Sequence, residues 1–89
     1  MRSREEHWRE LEQRLSSLID FLESQIDRRY LDELRHFVEH REFGVALEEL
    51  TGLVAGRAIL LRPEQDQEIE RLAIVMRLDL DKLRGSHSA

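Results

Sequence analysis

Apolar residues along this chain recur every three or four positions, the period of an α-helix, and nowhere alternate in twos as a strand requires. Trp8, Leu11, Leu15, Leu18, Ile19, Leu22 and Ile26 form a first stripe, with Glu5/Arg9 and Glu10/Arg14 as i,i+4 pairs on the outer face. Ser3 with Glu6 reads as a capping box, so helix 1 is expected from about residue 4 to about 25. Tyr30, Leu31, Leu34, Phe37 and Val38 form a second stripe, with Asp27 as N-cap and an end near His40. A third comprises Phe43, Ala46, Leu47, Leu50, Leu53 and Val54, and Gly56 is placed to end it in the left-handed conformation. Pro63 suits the first turn of helix 4, whose stripe of Ile69, Leu72, Ala73 and Met76 predicts an end around Leu78. Leu80 and Leu83 can add one more turn.

The connections are short, and one is unusual. Arg57–Arg62 contains Ala58, Ile59, Leu60 and Leu61, too apolar for a free loop, so Ile59 or Leu61 is expected to fold back over the core as a lid. The expected fold class is all-α, a compact bundle of four amphipathic helices with short connections. One helical domain spans 1–84, and the small polar residues 85–89 form a flexible tail. At 89 residues the chain buries about 60% of its unfolded surface, which disfavours an enclosed substrate cavity and an elaborate enzyme. The absence of cysteine excludes disulfides and thiolate metal sites. No run approaches a membrane span and the N-terminus lacks a leader's apolar core, so a cytoplasmic protein without membrane contact is expected.

Charge narrows the partners. The net charge is -5, yet segments 42–49 and 63–70 together hold seven acids and no base, against twelve acids and fourteen bases elsewhere. The excess therefore sits at helix 3 and the start of helix 4, on Glu42, Glu48, Glu49, Glu64, Asp66, Glu68 and Glu70. These seven are the candidate partner-binding residues, facing a basic protein. Acids in a helix's first turn also answer the helix dipole, and charged outer faces are commonly just solvated. Arginines and acids alternate along helices 1 and 2, so no basic stripe supports direct nucleic-acid binding. The run Leu72–Met76 is apolar on all sides, which fits a buried central helix or, alternatively, the surface of a homodimeric adaptor.

Other chemistry is sparse. His36-Phe37-Val38-Glu39-His40 matches the inverted zinc-protease pattern H-x-x-E-H, but a catalytic zinc needs a third ligand and a cleft, for which the chain has little room. The pair is expected on one partly exposed helix face, able at most to bind metal adventitiously. No phosphate-cradling glycine loop and no nucleophile elbow is present, so no cofactor and no catalytic residue is expected. Trp8, Tyr30 and Phe43 are the aromatic candidates for a buried anchor in a complex, although all three lie on core stripes.

The stretch Leu34-Arg35-His36-Phe37-Val38-Glu39-His40-Arg41-Glu42-Phe43-Gly44-Val45-Ala46-Leu47-Glu48-Glu49-Leu50, followed by Arg62-Pro63-Glu64 and Ile69, Leu72, Met76 and Leu78, resembles the MafI family of bacterial immunity proteins. The aromatic-Gly-x-Ala-Leu-Glu-x-Leu core of that family is matched by Phe43–Leu50, and the resemblance covers a little over half the chain. Arg62 stands where a capping Ser or Thr would fit, and Arg77 where a glycine would. The resemblance implies a small cytoplasmic helical protein that neutralises the C-terminal domain of a polymorphic toxin, often a nuclease, by stoichiometric binding without catalysis. A nuclease is basic around its active site, so the acidic segments would give such a partner electrostatic complementarity.

Overall fold

The computed structural model describes residues 3–57 and 59–83, and every regular element in them is helical. In chain order these are α1 (Arg4–Leu22), a single 3-10 turn (Glu23–Gln25), α2 (Arg28–Glu39), α3 (Phe43–Gly56), α4 (Pro63–Val75) and the one-turn α5 (Leu80–Leu83). The expected tail at 85–89 lies outside the described residues.

Each stripe becomes one wall of a shared core. Leu15, Leu22, Leu47, Leu50 and Leu72 are completely buried, and Ile19, Leu34 and Ala46 nearly so. Helices α1, α2 and α3 pack pairwise, while α5 touches both α3 and α4. Ile59 is buried and Leu61 half-buried, so the connector does fold over the core as its composition predicts. Leu60 between them points outward, 80% exposed. The buried polar groups are satisfied. Thr51 Oγ1 donates to the Glu48 carbonyl (3.0 Å), and Gln65 Oε1 accepts the Arg62 N–H (2.9 Å), thereby supplying part of the cap that Arg62 cannot make with its own side chain.

Several helix ends differ from expectation. The Ser3 hydroxyl accepts the Glu6 N–H (3.1 Å) as predicted. Asp27 does occupy the N-cap of α2, but only its carbonyl is used, by the amides of Tyr30 and Leu31 (both 3.0 Å), and its carboxylate does not cap. Gly56 is the last residue of α3 with ordinary helical geometry and Arg57 caps it at φ -119°, so no left-handed glycine ends this helix. The left-handed positions are arginines instead, Arg41 at φ 60° and Arg77 at φ 56°. Each closes a Schellman turn. Glu42 N–H reaches the Phe37 carbonyl (2.8 Å) and Arg41 N–H that of Val38 (3.1 Å), and Leu78 and Arg77 repeat the pattern with Ala73 (2.8 Å) and Ile74 (3.1 Å). The second turn stops α4 at Val75, three residues before the predicted end at Leu78, and sends the chain into α5.

Candidate functional site

Helix α3 divides its residues cleanly. Phe43, Ala46, Leu47 and Leu50 are buried, whereas Val45, Glu48 and Glu49 are exposed, so the resemblance motif supplies core on one face of the helix and surface on the other. Glu48 and Glu49 border a shallow depression of about 400 Å³ with Gly52, Leu53, Gly56 and Arg57. Among the described residues no ion pair or hydrogen bond engages the side chains of Glu42, Glu48, Glu49 or Glu64. These four carboxylates are solvated.

The other three predicted acids are placed differently. Glu68 is half-buried and held by Arg14 of α1, whose Nε and Nη2 donate to Oε2 (3.0 Å) and Oε1 (2.7 Å). These bonds, assisted by the charge of Arg14 and by nearby Arg71, hold the Glu68 carboxyl below the usual carboxylate range despite partial desolvation. Asp66 and Glu70 are half-buried and already interact within the fold. Moreover, Glu64 and Glu68 line a groove against α1 while Asp66 faces Thr51, Val54 and Ala55 of α3. Thus the α4 acids split between two sides of their helix, and the seven residues are not gathered on one face.

The aromatic candidates also separate. Phe43 is 6% exposed and belongs to the core. Trp8 is half-buried, with the guanidiniums of Arg4 and Arg41 5.7 and 4.9 Å from its ring. Tyr30 lies beneath Arg29 and Arg57 at 5.1 and 4.6 Å, and its hydroxyl accepts from Arg57 Nη2 (2.8 Å). The exposed aromatic is Phe21, at 67%. It lines a groove of about 410 Å³ between α1 and α4 with Arg14, Leu18, Arg62, Glu64 and Arg71. Its signal in the sequence is negative: it falls off the Leu11-Leu15-Leu18-Leu22 stripe, where an aromatic has no core to enter.

The run Leu72–Met76 is not a buried central helix. Leu72 and Ala73 are buried, but Ile74 is 73% and Val75 40% exposed, because five consecutive residues circle the whole helix and only one side meets the core. His36 and His40 share an exposed face of α2, ring centroids 4.1 Å apart, and among the described residues no three side chains of metal-ligating type come together. Nor, among those residues, is any helix long and apolar enough to cross a membrane. Comparison with protein-family models, curated proteins and solved structures finds no match to this chain.

Proposed function

We propose that this protein is a cytoplasmic immunity protein that neutralises a toxin domain by stoichiometric binding, with the four longer helices acting as one bundle that presents α3. The observation that carries this reading is the set Glu42, Glu48 and Glu49, exposed and without an ion pair or hydrogen bond among the described residues, on the stretch that resembles the MafI family. Solvated carboxylates without intramolecular partners lose nothing inside the fold when a basic surface approaches, and their field accelerates the encounter by tenfold or more at low salt. Glu64 stands apart from this set, in the groove between α1 and α4. Glu68 is a weaker contributor, since its charge is already compensated by Arg14.

The first test is capture of partners from the native host with tagged protein and identification by mass spectrometry. Recovery of the C-terminal domain of a secreted toxin, one to one and released by salt, supports the proposal. With that domain in hand, Glu48→Arg with Glu49→Arg is expected to leave the helical spectrum unchanged and weaken binding at low salt. Unchanged affinity would remove both residues from the interface.

A further inference from the structure

The groove between α1 and α4 has a charged middle, and exposed apolar residues flank its lining along the chain. Phe21, 67% exposed, lines it, and Leu60, 80% exposed, comes two residues before the lining residue Arg62. Leu60 is held there by Gln25, whose Oε1 accepts its N–H (3.0 Å) and whose Nε2 donates to its carbonyl (3.1 Å). Beyond Arg71, Val75 continues, at helical spacing, the row Glu64, Glu68 and Arg71, with the exposed Ile74 beside it. The Arg14–Glu68 bridge spans the centre.

This arrangement is complementary to itself. Glu64 and Arg71 lie on either side of Glu68 on one face of α4, two turns or about 10 Å apart. A two-fold axis over Glu68 therefore carries Glu64 of one copy onto Arg71 of another, and Phe21 and Leu60 toward Ile74 and Val75. The groove lining sets Arg14, Arg62 and Arg71 against Glu64 and Glu68, so two molecules of net charge -5 meet here where their like charges are compensated. A strongly basic partner finds no such match on this face. We propose that the α1/α4 face joins two copies of this chain in a symmetric dimer, an isologous contact in which each patch meets its own counterpart. The inference does not depend on the toxin reading, and Glu42, Glu48 and Glu49 line no part of this groove.

Sedimentation of the full chain from micromolar to millimolar concentration tests it. A concentration-dependent dimer is expected, with Phe21→Glu raising the dissociation constant at least tenfold. Glu64→Arg and Arg71→Glu should each weaken association, and the two combined in one chain should restore it, since the exchanged charges again face each other. All three positions are exposed, and circular dichroism checks that the helices persist. A monomer throughout the range overturns the proposal. So does a dimer indifferent to Phe21→Glu, or a double variant as weak as the single ones.

Discussion

Replacing Arg77 by glycine should make this protein more stable, although it deletes a side chain and adds backbone freedom. Arg77 sits at φ 56°, where an L-residue's Cβ crowds the following carbonyl at a cost of about 1–2 kcal/mol. Glycine escapes that cost but gives back about 0.5–1 kcal/mol through the greater entropy of its unfolded chain. The Arg77 side chain is exposed and makes no hydrogen bond or ion pair among the described residues, so little else is lost. Taking the middle of each range, the net gain is about 0.75 kcal/mol, which for a domain of this size raises the melting temperature by about 3–6 °C. Arg41 provides the internal control. It carries the same strain at φ 60°, but its guanidinium lies 4.9 Å from the Trp8 ring, a contact worth about 0.5–1 kcal/mol. Arg41→Gly should therefore be close to neutral. Urea unfolding followed at 222 nm measures both, with Arg77→Ala separating side-chain loss from strain relief. If Arg77→Gly is no more stable than Arg77→Ala, left-handed strain is not what limits this turn and the reasoning fails.

Three further outcomes follow from the packing and the charges. Leu22→Ala, at a fully buried position, should cost about 2–5 kcal/mol, whereas Phe21→Ala one residue away should cost less than about 0.5 kcal/mol; reversed order in denaturation midpoints would contradict the burial of α1. Because the hydrogen bonds and charge of Arg14 hold the Glu68 carboxyl below its ordinary value in the folded state, that pair's contribution is present above the unfolded pKa and lost as pH falls through the folded one. Glu68→Gln should cost about 1 kcal/mol near neutrality and flatten the acid limb of the stability curve, while an unchanged acid limb would show that the bridge does not persist in solution. Gln25→Ala removes both hydrogen bonds that hold Leu60, so amide exchange at Leu60 should accelerate while exchange at the core amides of Leu47 and Leu50 does not; equal protection in both proteins would mean the connector is held by Ile59 alone.

Most of the helical architecture was legible in the sequence because burial on one side of a helix imposes a period on the chain. The stripes of α1 to α4, the Ser3 cap, the first-turn position of Pro63, the inward Ile59 and the final turn at α5 all follow from such local rules. What local rules could not supply was which helix faces which. Glu68 reads as one more solvated acid until α1 brings Arg14 to it across the groove. Phe21 reads as an unremarkable apolar residue, and Ile74 as part of a run that fits a buried helix or a surface equally, until the core turns out to lie on the other side of their helices. Gly56 was the expected left-handed residue and Arg41 and Arg77 were not, because where a helix stops depends on where the next one must pack as well as on the residue present. Periodicity is a property of one element, encoded in neighbouring residues. The partners of a charge, the exposure of an off-stripe aromatic and the strain in a turn are set by the relative placement of elements distant in sequence, and only the tertiary structure decides them.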